Sequence, residues 1–155
     1  MTVHAFRLRK DLDQAIPTPE WPPGFSCRTL MSSDAHAVHD VMNKAYADGR
    51  GVPPFDIWWP IFSGDAEFDA SLCFLVFGED RLAAVALCWK SAFLKDLAVH
   101  PDAQRLGIGG NLLRQVFRSF QARKAAAVDL KVEADNANAI RLYERAGMYR
   151  VRWEG

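Results

Sequence analysis

Lys95-Asp96-Leu97-Ala98-Val99-His100-Pro101-Asp102-Ala103-Gln104-Arg105-Leu106-Gly107-Ile108-Gly109-Gly110-Asn111-Leu112-Leu113 is the stretch on which the fold of this chain turns. Leu97 and Val99 alternate with Asp96, Ala98 and His100, the period of a strand. Pro101 has no N–H to give to a sheet ladder, so the strand ends there. Beyond it, apolar residues fall at Ile108, Leu112, Leu113, Val116, Phe117 and Phe120, which is one face of a helix. A strand, a glycine-rich turn and a helix in that order leave the first N–H groups of the helix without intrahelical partners. With the positive end of the helix dipole they make an anion site. Glycines let a phosphate approach backbone that a Cβ would shield.

Upstream of this stretch, Leu72–Phe77 is a continuous apolar strand, Gly78-Glu79-Asp80 a turn, and Leu82–Trp89 the returning arm of a hairpin. Ser91–Val99 is the next strand. Downstream, Ala126–Val132 reads as a strand reached by a helical crossover, and so parallel to the strand before the glycines. A helix carrying Ala139, Ile140, Tyr143 and Ala146 closes at Gly147, a left-handed cap, and Met148–Trp153 is a final strand. At the other end, Val3–Arg9 alternates loosely as a short edge strand. Four prolines within residues 17–23 then impose an extended connector that Trp21 pins to the domain. Phe25–Leu30 is a strand, Met31-Ser32-Ser33-Asp34 supplies capping groups, and Ala35–Ala47 is a helix ended by Asp48-Gly49-Arg50-Gly51. His36 and His39 share a face of it, but no third ligand lies at metal-site spacing, so they read as a solvated face. Residues 52–68 are dense in aromatics and prolines without a period. They are either a short helix or loop that covers the sheet with bulky side chains or a substrate-binding lid, and the two are compatible.

At 155 residues, half of them apolar, the chain has the length of one domain with a real core. Its formal net charge of zero argues against nucleic acid as a partner. No apolar run reaches the length of a membrane span, and residues 1–10 lack the apolar centre of a signal peptide. The three cysteines, Cys27, Cys73 and Cys88, are odd in number, form no C-x-x-C pair and sit in strand-like contexts. They read as buried thiols of a reducing cytoplasm, with no disulfide framework and no metal site.

Two phosphate loops are excluded by residue type. A P-loop closes on Gly-Lys-Ser/Thr, and here Gly109 is followed by Gly110-Asn111. A dinucleotide fingerprint needs a third glycine where Leu112 stands. By contrast, Gln104-Arg105-Leu106-Gly107-Ile108-Gly109 after Leu97-Ala98-Val99-His100-Pro101 resembles the acetyl-CoA motif Gln/Arg-x-x-Gly-x-Gly/Ala of the GNAT superfamily of N-acetyltransferases. Asn136-Ala137-Asn138-Ala139-Ile140-Arg141-Leu142-Tyr143-Glu144-Arg145-Ala146-Gly147-Met148 resembles its second motif, Asn-x-x-Ala-x-x-Leu-Tyr-x-x-x-Gly-Phe, with methionine for the last phenylalanine. The resemblance covers residues 25–153.

It implies an α/β (α+β) fold: a mixed, mostly antiparallel sheet, flanked by helices, whose central parallel pair splays apart. It also implies residues 1–24 as an N-terminal strand and connector, and 25–155 as an acetyl-CoA-binding N-acetyltransferase domain. Leu97, Ala98 and Val99 would meet the pantetheine arm. Gln104, Arg105, Leu106, Gly107, Ile108, Gly109, Gly110 and Asn111 would hold the pyrophosphate. Asn136, Asn138 and Ala139 would lie near pantetheine or adenosine. The implied reaction is direct attack of a neutral amine on the thioester, in a ternary complex without a metal. The Val99 N–H would stabilise the oxyanion, and Tyr143, near the sulfur, would protonate the departing thiolate.

Relatives that acetylate protein N-termini carry a glutamate five residues before the motif asparagine, where this chain has Lys131. Glu133 and Asp96 are then the base candidates, directly or through water, and His100 reads as structural. The family adds a last strand after the one at Met148–Trp153. Here a partner subunit in a homodimer could supply it, the N-terminal segment could replace it, or it could be missing. The expected activity is acetyl transfer to a primary amine of a small molecule or peptide. The alternative is an acyl-CoA-binding sensor or interaction domain with little turnover.

Overall fold

A computed structural model describes residues 4–46 and 51–152. Of the elements expected from sequence, only Val3, residues 47–50 and Trp153 lie outside the described residues. The sheet has seven strands in the order β2-β3-β4-β5-β6-β1-β7. The strands are β1 (Ala5–Asp11), β2 (Phe25–Thr29), β3 (Phe68–Gly78), β4 (Arg81–Trp89), β5 (Phe93–Val99), β6 (Ala127–Glu133) and β7 (Tyr149–Val151). The helices are α1 (Ala35–Ala45), α2 (Phe55–Gly64), α3 (Ile108–Ala122) and α4 (Ala137–Arg145). All neighbouring pairs are antiparallel except β5–β6.

The N-terminal segment departs from expectation. It is an interior strand, paired on one side with β6 and on the other with β7. Leu8 is fully buried there, and Asp129 of β6 accepts hydrogen bonds from both Arg7 and Arg9. An edge strand has a ladder on one side only; this one is held on both. Of the three possibilities for the further strand, the sheet shows the N-terminal one, with β1 beside β6. The connector after β1 forms neither helix nor strand, and Trp21 packs against the core as expected.

Each face of the sheet is covered by its own apolar layer. α3 sets Leu112, Leu113, Val116, Phe117 and Phe120 against Leu8, Leu130 and Cys88. α1 and α2 set Val38, Met42, Trp58 and Phe62 against Leu75, Val85 and Leu87. Each such fully buried side chain contributes roughly 1.5–3 kcal/mol. Residues 55–64 are therefore a helix, with Pro60 inside it, laid on the sheet through Trp58 and Phe62. His36 stacks on Phe55 at 3.6 Å between ring centroids, and a ring nitrogen of His39 lies 2.7 Å from the Pro53 carbonyl oxygen. The two histidines join α1 to the start of α2, and no metal-binding cluster is found among the described residues.

Candidate active site

The parallel pair β5–β6 is short. Phe93 lies opposite Asp129 and Leu94 opposite Leu130, after which the strands diverge. β5 stays paired with β4 as far as Val99. The His100 N–H donates to the Ala83 carbonyl, towards β4. Backbone groups alternate in direction along a strand, so the N–H and C=O of Val99 and Leu97 point into the fork between β5 and β6.

Beside the fork, Gly107 takes a left-handed φ of 77° to turn the chain into α3. No hydrogen bond from the N–H groups of Arg105, Leu106, Gly107, Ile108, Gly109 and Gly110 is found among the described residues; the ladder resumes with the Asn111 N–H on the Gly107 carbonyl. The glycines there differ in purpose. A Cβ on Gly109 would lie 3.2 Å from Leu142 of α4, so this glycine lets two helices approach. A Cβ on Gly110 would meet nothing within 4 Å; it faces open space. That space is a pocket of about 450 Å³ lined by Gly107, Gly110, Asn111, Lys10, Arg114 and Arg145, among others. Three cations around a row of free N–H groups suit a phosphorylated ligand.

The side chain of Asn111 is engaged by the chain itself: Oδ1 accepts from the Glu20 N–H and Nδ2 donates to the Gly107 carbonyl. Asn136 caps α4, accepting from the Ala139 N–H at 3.2 Å. Asn138 accepts from Arg141 on the same helix. Gln104, Arg105 and Leu106 are exposed in the loop. His100 caps the turn before it, with Nδ1 accepting from the Asp102 N–H, the structural part expected of it.

Tyr143 is set by the end of α4. The Met148 N–H donates to the Tyr143 carbonyl and the Gly147 N–H to the Glu144 carbonyl, a Schellman closure that needs the φ of 95° at Gly147. Tyr143 is 8% exposed. Burial first, and then the charge of Asp96, push its phenol up to about 12. Asp96 approaches from the other side of the sheet. Tyr46 donates to its Oδ1 at 3.0 Å and Lys95 to its Oδ2 at 3.0 Å. Burial, followed by Asp96, also raises the Tyr46 phenol. The structure thus brings Tyr143 and Asp96 into electrostatic reach of one another, whereas Glu133 is exposed at the end of β6. Burial holds the Cys27 and Cys73 thiols up at about 11, so both stay protonated.

A second pocket, of about 220 Å³, opens between α1, α2, β4 and β5, and Trp58, Phe62, Trp89, Lys95 and Asp96 line it. The indole Nε1 of Trp58 is buried without a hydrogen-bond partner among the described residues. Sequence reading missed Tyr46, Lys10, Arg114, Arg145 and Trp89. Arg114 stands one helical turn after Gly110, a spacing that points to the same face. Lys10 carries no such local signal, because only strand pairing brings β1 beside the fork.

The model of the acetyltransferase (GNAT) family matches residues 35–148. The chain is 45% identical to the ribosomal protein bS18-alanine N-acetyltransferase of Escherichia coli strain K12 over 122 residues, 77% of each protein. It is 26% identical to the mycothiol acetyltransferase of Saccharopolyspora erythraea over 96% of its own length and 51% of that protein. A crystal structure of a GCN5-related N-acetyltransferase from Sphaerobacter thermophilus superposes with a TM-score of 0.83 at 28% identity, covering 95% of this chain and 48% of that one. The chain therefore spans about half the length of some relatives it matches. With its forked parallel pair, its glycine turn and the match across most of its length, the chain belongs to the GNAT acetyltransferase family.

Proposed function

We propose that this chain transfers an acetyl group from acetyl-CoA to a primary amine, with residues 25–155 as the transferase unit and β1 completing its sheet. The observation that carries the reading is the run of unpartnered N–H groups from Arg105 to Gly110, opening onto a pocket with Lys10, Arg114 and Arg145. A CoA pyrophosphate and ribose phosphate are opposite in charge to that donor set and offer it acceptor oxygens, and the missing Cβ at Gly110 leaves room for them. Leu97 and Val99 would pair with the amide groups of the pantetheine arm along the fork.

Acetyl-CoA supplies an activated acyl group whose transfer to an amine releases the CoA thiol and a proton. This chain's residues orient the partners and manage protons. The Val99 N–H is the hydrogen-bond donor at the fork where negative charge develops. Tyr143 keeps its proton at neutral pH because its phenol titrates near 12, and it is the general acid facing the leaving group. Asp96, held between Tyr46 and Lys95, is the carboxylate on the acceptor side. It holds the incoming ammonium, and water takes the proton onward. Glu133, exposed at the end of β6, is not among the hydrogen-bond partners of that cluster, and serves as a relay through water.

Isothermal titration with acetyl-CoA, followed by measurement of free CoA released with an amine panel, tests this. Saturable binding with amine-dependent release supports it; no binding of acetyl-CoA refutes it. A sensor domain without turnover is the second reading, favoured by Asp96 having both oxygens engaged; binding without release under every amine would establish it.

A further inference from the structure

We propose that the pocket between α1, α2, β4 and β5 is an ammonium site for small primary amines with an aryl or branched-alkyl body, and that the Lys95 ammonium fills it until an acceptor displaces it. The inference deepens the acyl-transfer reading and rests on it.

A bulge creates the site. Leu87 pairs with Asp96 but Cys88 pairs with Leu94, so Lys95 is an extra residue in β5. In a regular strand, successive side chains point to opposite faces. The bulge instead turns both Lys95 and Asp96 to the α2 side, where both line the pocket.

Lys95 shows what the pocket accepts. Its Nζ lies 3.0 Å from Asp96 Oδ2, 5.7 Å from the Phe62 ring centroid and 5.9 Å from that of Trp89. A primary ammonium on a carboxylate, against two aromatic rings, is a recognition arrangement for a cation. Here the chain supplies the cation from within.

The two partners differ in freedom. The Lys95 side chain is 34% exposed and that of Asp96 17%. Lys95 has four methylenes and no ladder partner, so its ammonium can turn out into water, where it is strongly hydrated. Asp96 stays in place through its hydrogen bond from Tyr46. Once Lys95 withdraws, Asp96 and Asp65 remain as carboxylates in a wall of Trp58, Ile61, Phe62 and Trp89. That charge and surface fit a monocation with an apolar body. The volume, about 220 Å³, is below the range of drug-sized pockets, so the body is small.

The test uses the full chain without acetyl-CoA and follows tryptophan fluorescence, since Trp58 and Trp89 line the pocket. 2-Phenylethylamine is titrated against 2-phenylethanol, its uncharged counterpart of equal size. The amine is expected to bind at least tenfold more tightly. Lys95→Met keeps the length and removes the competing charge; it should tighten the amine three- to tenfold and leave the alcohol unchanged. Asp96→Asn should erase the difference between the two. Equal affinity for amine and alcohol in the unaltered protein overturns the site. An amine affinity unchanged or weakened by Lys95→Met overturns the displacement. Spermidine or glucosamine binding more tightly than 2-phenylethylamine overturns the apolar class. Calorimetry with CoA is run beside it: CoA binding that persists while these titrations fail leaves acetyl transfer standing and removes only the amine assignment. Failure of CoA to bind refutes the transfer reading separately.

Discussion

On the α3–α4 side of the β5–β6 fork, the groups poised for a ligand are backbone N–H groups of Arg105–Gly110. On the α1–α2 side they are side chains: Asp96, Lys95, Tyr46 and a set of aromatic rings. The first side is set by local chain geometry, since a left-handed Gly107 and a helix start leave the same donors free wherever they occur. The second depends on one bulge and on the packing of α2. A cofactor shared across a family suits the first kind of site, and an acceptor that differs between relatives suits the second.

The largest expected effect breaks the first side alone. Gly110→Asp adds a carboxylate and volume where only open space exists, and acetyl-CoA affinity should fall roughly a thousandfold. An acid in the first turn complements the helix dipole, so the melting temperature should hold or rise. Calorimetry and a thermal melt check the two halves; affinity within threefold of the starting protein would sink the loop assignment. Gly109→Asp is a poorer probe, because the Leu142 contact makes it strain the helices as well.

Tyr143→Phe tests the link between the sides. The hydroxyl has no hydrogen bond among the described residues, so stability and acetyl-CoA affinity should stay within about twofold while kcat drops roughly a hundredfold. An unchanged kcat would refute the general acid. Because the Tyr143 phenol is raised to about 12, it stays protonated up to high pH, and kcat should show no descending limb from it between pH 7 and 10. A limb in that range that disappears in the phenylalanine variant would contradict the raised value.

A smaller effect concerns the frame under the fork. Burial pushes the Asp129 carboxyl up, but the hydrogen bonds and charges of Arg9 and Arg7 outweigh it and hold it below its ordinary 3.8. A folded value below the unfolded one means stability that is present above pH 4 and lost as pH falls through the folded value. Asp129→Ala should cost about 2 kcal/mol at pH 7 in a denaturant titration. It should also flatten the loss of stability on acidification; the same acid slope in both proteins would remove Asp129 as its source. The smallest effect is His36→Ala, which removes the stack on Phe55. It should cost about 0.5–1 kcal/mol, leave acetyl-CoA affinity unaltered and leave the melt indifferent to chelator. A chelator-dependent melt of the unaltered protein would restore the metal reading of His36 and His39.

Most of the element order was legible because its signals are local. Pro101 ends β5, the apolar spacing after Gly107 makes α3, and Gly147 closes α4; that Asn136 caps the start of α4 came only from the structure. The aromatic stretch was legible only as a short helix or a loop: Pro54, Pro60 and the run of bulky residues obscure the period, and burial of Trp58 and Phe62 against the sheet decides for the helix. Asp96 could be named as a base candidate from its strand, but its partner Tyr46 could not, since fifty residues separate them.

What the sequence determined by itself was the glycine turn that leads into α3 and the family, because glycine torsions, helix starts and caps act over a few residues. What tertiary structure alone decided was the place of β1 between β6 and β7, the fork that exposes Leu97 and Val99, and the bulge that faces Lys95 and Asp96 together. Strand neighbours, ladder length and register are set by which faces bury their apolar residues, and that is a property of the whole sheet rather than of any one segment.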